Sequence, residues 1–178
     1  SIFEFPLQFE NQPLQACPYA AFRYIKNVKN QASPQWLKDK LEAVGLNSIS
    51  AIVDVTNYVM HVLNRPMHAY DASKIEGALS IRFAQNDEKF TSLKNDEYIL
   101  DEKILVVSDS KKAVGIAGII GGANSSCSSE TSDIILESAF FSSNNISYAG
   151  RKLNILSDAR HRFERGIDDH SCLAGIEL

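Results

Sequence analysis

With 178 residues, 44% of them apolar and 22% charged, the chain fits one compact domain and is long enough to bury a core. No apolar run approaches the length of a membrane-spanning helix and no basic segment precedes an apolar one at the start, so a cytoplasmic protein without membrane contact is expected. The formal net charge of −4 and pI of about 5.6 exclude a protein that grips nucleic acid mainly through its phosphates: either none is bound, or only a small part of one held elsewhere. Cys17, Cys127 and Cys172 are odd in number and lack ligand spacing, which fits reduced thiols in a reducing cytosol.

Residues 1–18 read as an irregular lead-in, broken by Pro6, Pro13 and Pro18. Residues 21–28 alternate well enough for a strand. Ser33 as N-cap and Pro34 at the first helical position predict a helix over 34–44, whose stripe of Trp36, Leu37, Leu41 and Val44 stops at Gly45. Residues 50–63 are apolar on most sides and read as a buried helix, although their β-branching keeps a strand open. Short strands are expected at 78–83 and 97–100. A hairpin of 103–107 and 113–116 would turn at Ser108-Asp109-Ser110-Lys111. Residues 118–122 form a glycine-dense bend, and 125–132 a Ser/Thr-rich loop. Residues 134–141 make an apolar strand with Glu137 in its middle, Ser142 opens a helix reaching about Lys152, and 157–170 is a charged tail. The pattern predicts a single α+β domain.

Polar residues in apolar surroundings mark candidate chemistry, because burying them is costly without partners. They gather in Asp54-Val55-Thr56-Asn57-Tyr58 and in Pro66-Met67-His68-Ala69-Tyr70-Asp71, the latter read as a loop around His68. For Asp54 and Asn57 capping and buried backbone hydrogen bonding are the favoured reading on residue type, and a lone His68 is more often structural than catalytic. By strand alternation Glu137 shares a face with Ile135 and Ala139. It either pairs with an arginine such as Arg162 or Arg165 or lines a cleft. Backbone N–H groups at Gly118 to Gly122 could approach a ligand, but the order matches neither a Walker loop nor G-x-G-x-x-G. Arg162, Glu164 and Arg165 fit a solvated charge run. No C-x-x-C, H-E-x-x-H or G-x-S-x-G pattern occurs, so no metal site and no serine nucleophile is expected.

Five blocks together carry a resemblance: residues 52–60 (IVDVTNYVM), 64–71 (NRPMHAYD), 115–122 (GIAGIIGG), 131–141 (TSDIILESAFF) and 162–168 (RFERGID). Their order, from about Tyr19 to Asp169, is similar to bacterial phenylalanyl-tRNA synthetase β subunits, whose signature reads "VDVTNYVM…GQPMHAFD". The resemblance implies that residues 19–178 are the editing (B3/B4-type) domain of a longer chain: a layered β-sheet sandwich of α+β class, with flanking helices, which hydrolyses tRNA mischarged with tyrosine. It implies that Glu137 accepts the tyrosine hydroxyl, with a backbone N–H between Gly118 and Gly121 as its partner. By the same resemblance His68, Thr56 and Asn57 surround the ester, orienting a water and the terminal adenosine, while Ala139, Ser157 and Ala159 shape the pocket. No cofactor is implied in this domain; ATP and Mg2+ would act elsewhere in the parent ligase. The implied partners are the 3′ end of tRNA(Phe) and, through the full-length chain, the α subunit. Arg65 departs from a common Gln, Asn64 from Gly, Arg160 from Ser and Ser157 from Thr, which puts the loops at 64–66 and 158–161 in question. Two other readings stand beside editing. One is a non-catalytic tRNA-binding or scaffold module of the same fold; the other, weaker, is a nucleotide-binding enzyme using Gly118–Gly122.

Overall fold

The apolar run around Glu137 becomes the middle strand of a three-stranded antiparallel sheet. In the computed structural model, which describes residues 13–178, β1 (Tyr19–Ile25), β2 (Met67–Asp71) and β9 (Ile134–Phe140) lie in the order β1-β9-β2. A second antiparallel sheet runs β3-β6-β7-β8, from β3 (Ser80–Phe83), β6 (Leu105–Ser108), β7 (Ala113–Ile116) and β8 (Ile120–Gly121). A separate two-stranded ribbon pairs β4 (Glu88–Thr91) with β5 (Glu97–Leu100). Of the expected lead-in, residues 1–12 lie outside the described residues; Pro13 to Cys17 form a turn closed by Ala16 and Cys17 amides on the Pro13 carbonyl.

Core side chains come from both sheets: Tyr70, Ile135 and Ala139 from the first, Ile81, Val107 and Ile116 from the second. Every residue of β6 and β7 is buried, so these central strands are covered on both faces and do not show the one-sided alternation of a solvated antiparallel sheet. Among the helices, α2 (Ala51–Leu63) packs on β2 and α5 (Cys172–Glu177) on β1 and β9. The α3 (Ser143–Lys152) and α4 (Asp158–Arg165) helices pack on each other, with α3 reaching β6. The architecture is α+β, two packed sheets with flanking helices. Among the described residues no helix is long and apolar enough to cross a membrane.

Three local expectations change. Helix α1 runs Gln35–Glu42, with Pro34 as its N-cap; Ser33 makes no cap, because its hydroxyl donates to Asp54 at 2.5 Å. The segment around His68 is β2 and no loop, held by pairing with β9 that no local pattern announces. The charged tail folds into α4 and runs into a 3-10 turn (Asp169–Ser171), after which α5 follows. The hairpin forms as expected. Asp109 closes its turn by accepting from the Lys111 and Lys112 amides at 2.8 and 2.9 Å.

The departures at 64–66 and 160 have structural reasons. Asn64 is the C-cap of α2 in the left-handed conformation (φ 51°), which asparagine tolerates better than other non-glycine residues. Arg65 is fully buried and ties β9 to the tail: Nη1 donates to the Ala139 carbonyl at 2.9 Å, Nε to Ser171 Oγ at 3.0 Å, and Nη2 to the Asp168 carbonyl. Arg160 fills the end of α3, donating to the Gly150 and Ile155 carbonyls.

Candidate active site

Strand register assembles the site. In the β2–β9 ladder His68 stands directly opposite Glu137 and Tyr70 opposite Ile135. Directly opposed residues on one face of an antiparallel pair have Cβ atoms about 4.5–5.5 Å apart, and diagonal ones remain in reach of long side chains. Period-two alternation therefore turns His68, Tyr70 and Glu137 to one face, toward the second sheet.

These three line a cavity of about 70 Å3 together with Pro66, Met67, the run Gly115 to Gly121, and Ala159 and Phe163 of α4. A space of this size holds a few water molecules. Its wall depends on glycine. Gly121 lies against the imidazole so closely that a Cβ there would collide with the His68 ring. Gly118 adopts φ +66°, and a Cβ on it would come within 2.7 Å of Ile146 Cδ1.

Electrostatics differ sharply from those of a surface cluster. Burial pushes the Glu137 carboxyl up to about 7, partly countered by the hydrogen bond that Tyr70 donates to Oε2. Burial pushes His68 down to about 4, so the ring is neutral at neutral pH. Its Nε2 is buried without a hydrogen-bond partner among the described residues, a costly arrangement that a bound water or substrate atom would relieve. The Tyr70 hydroxyl is held well above its usual value by burial and by Glu137, which keeps it a donor. Its ring meets His68 edge-on, with centroids 4.5 Å apart.

Of the residues singled out in the sequence, His68, Glu137, Gly118, Gly121 and Ala159 meet in this cavity. Thr56 and Asn57 sit on α2, outside its lining, and the Thr56 hydroxyl donates to the Val53 carbonyl at 2.8 Å. Ala139 shares Glu137's face but is buried beyond the cavity. Ser157 lies behind the wall. It caps α4 by accepting from the Arg160 amide at 3.1 Å and donates to the Ile119 carbonyl at 2.7 Å. Among the described residues no arginine pairs with Glu137; Arg162 donates to Asn64 at 2.7 Å. Two amides of the glycine bend, Ile119 and Gly122, are taken by the Ile116 and Val114 carbonyls, which weakens a phosphate-cradle reading. No group of three or more His, Cys, Asp or Glu converges on a metal-binding geometry among the described residues. Tyr70 is the residue that reasoning from sequence missed; the signal was a tyrosine where the quoted signature has phenylalanine.

A two-sheet α+β domain with a half-buried His68 opposite a buried Glu137 in a glycine-walled cavity is the class that fold and site define. The chain belongs to the B3/4 domain family, whose model matches residues 16–178. It is 54% identical over 155 residues to the phenylalanine–tRNA ligase β subunit of Wolbachia sp. subsp. Brugia malayi, an alignment covering 87% of this chain and 20% of that one. To the β subunit of Rhodopseudomonas palustris it is 43% identical over 176 residues, 99% of this chain and 22% of the relative. The chain thus spans about a fifth of the length of these relatives. Among solved structures, an N-terminal fragment of the phenylalanyl-tRNA synthetase β subunit from Pyrococcus horikoshii matches with a TM-score of 0.53 over 76% of this chain and 45% of that one. At 12% identity that likeness establishes the fold alone.

Proposed function

We propose that residues 19–178 are the editing module of a phenylalanine–tRNA ligase β subunit and hydrolyse the ester of tRNA(Phe) mischarged with tyrosine. The observation that carries this reading is the opposition of His68 and Glu137 across one ladder position, both facing the same glycine-walled cavity. A pocket built for phenylalanine rejects an added hydroxyl weakly, whereas a site that hydrogen-bonds that hydroxyl selects it. A buried carboxylate of raised pKa suits that second task. Ionised, it accepts a phenol strongly, and left unpaired it is penalised when phenylalanine binds. The Gly118–Gly121 backbone supplies the facing wall.

His68 orients the attacking water and is a poor general base, because an imidazole held near 4 lies well below working pH. Thr56 and Asn57 on the neighbouring helix would meet the ester and terminal adenosine outside the cavity, with Ala159 lining its wall and Ser157 and Ala139 backing it. The acidic net charge fits a domain that receives only the 3′ end of a tRNA anchored by the rest of the cytoplasmic ligase and its α subunit, where ATP and Mg2+ would serve the synthetic site.

The second reading, a tRNA-holding scaffold without chemistry, draws on the small cavity, which must widen to admit an aromatic ring. Deacylation of tyrosyl- and phenylalanyl-tRNA by the intact ligase separates the two. Glu137→Ala should cut the tyrosine-over-phenylalanine preference by roughly ten- to a hundredfold, the worth of one hydrogen bond to a charged group. His68→Ala should slow hydrolysis of both esters by roughly tenfold, less than the hundredfold or more expected on losing a general base. If neither variant alters deacylation, the scaffold reading replaces editing.

A further inference from the structure

Tyr70 is 1% exposed, lines the cavity and donates its hydroxyl to Glu137. The two side chains belong to adjacent strands of one ladder, so the contact is fixed by backbone pairing. The geometry points to Tyr70 as a positioning residue for tyrosine selection: its phenol holds one oxygen of Glu137 and presents the carboxylate's remaining acceptor capacity to the hydroxyl of the incoming tyrosine. This rests on the assignment of Glu137 as the substrate's acceptor.

The opposite role, an internal phenol that the substrate must displace, fails on magnitude. A hydrogen bond to a charged group is worth roughly ten- to a hundredfold in an equilibrium. Exchanging one phenol for another gains none of that, and it strands the Tyr70 hydroxyl in a buried site. Displacement would therefore select against tyrosine. A carboxylate has about four lone-pair positions, enough for two phenols at once. Co-occupation is the arrangement that leaves selection intact.

Tyr70 also keeps Glu137 ionisable. Burial raises the carboxyl and the Tyr70 hydrogen bond pulls it back down, the balance standing at about 7. The other titratable group lining the cavity is His68, neutral and on the same strand as Tyr70. The Gly115–Gly121 wall and α4, through Ala159 and Phe163, bring none, and from β1 the residue opposite Glu137 is Phe22. Arg65 and Arg162 are directed to Ala139, Ser171 and Asn64. Removing the phenol therefore leaves burial unopposed.

The test is the pH profile of the tyrosine-over-phenylalanine deacylation ratio in the intact ligase, from about pH 6 to about pH 9.5, corrected for spontaneous hydrolysis. In the wild type the ratio should rise with pH as Glu137 ionises. Tyr70→Phe should move the midpoint up by about one to two units, the equivalent of the lost hydrogen bond, and lower the ratio at neutral pH. Replacing Tyr70 by 3,5-difluorotyrosine, a stronger donor of nearly the same shape, should move the midpoint down and covers the case in which Tyr70→Phe does not fold. An unmoved midpoint in whichever substituted enzyme folds, or a higher ratio in Tyr70→Phe, overturns the positioning role. The parent reading fails separately: a wild-type ratio near one, or one that Glu137→Gln leaves unchanged in size and pH dependence, removes Glu137 itself as the selector.

Discussion

Two buried carboxylates in this domain show how the same chemical group is made structural in one place and poised in another. Asp54, 0% exposed at the start of α2, is pushed up by burial. It accepts from the Ile49 amide at 2.8 Å and from the Ser33 and Ser48 hydroxyls at 2.5 Å each, and the balance falls below the usual carboxylate range. Glu137, 6% exposed, receives one side-chain donor, Tyr70, and burial wins. Two things separate them: three donors are aimed at the Asp54 charge against one at Glu137, and Glu137 lies deeper in the domain. Asp54 locks the α1–α2 corner in its ionised form at any ordinary pH. Glu137 keeps unused acceptor capacity beside a cavity, which is what a binding group requires and a structural one does not.

The largest expected effect breaks the structural member. Asp54→Ala strands two hydroxyls and an amide in the corner, at a cost of about 1–3 kcal/mol for each group that finds no water. Urea unfolding should show a loss of about 3 kcal/mol or more, with the tyrosine-over-phenylalanine ratio of the surviving folded enzyme unchanged. A loss under about 1 kcal/mol would mean that the three donors rehydrate freely, and that donor count is not what separates the two carboxylates.

Glu137→Gln should have the opposite sign, and its size should depend on pH. A carboxyl raised from 4.5 to about 7 on folding contributes its full stability below pH 4.5 and loses it as pH rises through 7. Gln keeps an oxygen for Tyr70 and cannot ionise, so the variant should gain stability over wild type between those values, by about 3 kcal/mol at pH 8 and by far less at pH 5. His68 works in reverse, since its lowered value gives stability present above 6.5 and lost as pH falls through about 4. It is common to both proteins and cancels in the difference. Equal stability differences at pH 5 and pH 8, measured by denaturant unfolding, would show that Glu137 is solvated and ordinary.

The same contrast explains what could be read in the chain. Helix α2, the β6–β7 hairpin, β9 and α3 were legible because each is specified locally, by an apolar period or a turn residue such as Asp109. Asp54's structural role was also readable, as the capping and buried backbone hydrogen bonding that its residue type favours, though the Ser33 and Ser48 donors were not. β2 and β4 were not. Met-His-Ala-Tyr-Asp and Glu-Lys-Phe-Thr carry little alternation, and they are strands because β9 and β5 pair with them. The site follows the same rule: Glu137 and His68 stood out by composition and resemblance, but their opposition and the Tyr70 contact are facts of register, which sequence spacing across 67 residues does not encode.

The smallest expected effect asks whether selection resides in Glu137 or in the wall facing it. Ser157 does not itself line the cavity, yet its hydroxyl caps α4 and holds the Ile119 carbonyl, so it joins the helix carrying Ala159 and Phe163 to the glycine bend. Ser157→Ala removes a cap worth about 1 kcal/mol and leaves the Ile119 carbonyl to water, so unfolding should shift by about 1–2 kcal/mol. Ser157→Thr keeps both bonds and should lie within a few tenths of a kcal/mol of wild type. If Glu137 on β9 reads the hydroxyl as proposed, a looser wall should weaken binding of both esters alike, raising KM for tyrosyl- and phenylalanyl-tRNA together. If Ser157→Ala instead lowers the tyrosine-over-phenylalanine ratio as far as Glu137→Ala does, the fit of the wall around the ring sets specificity, and the buried carboxylate has been given too large a share of it.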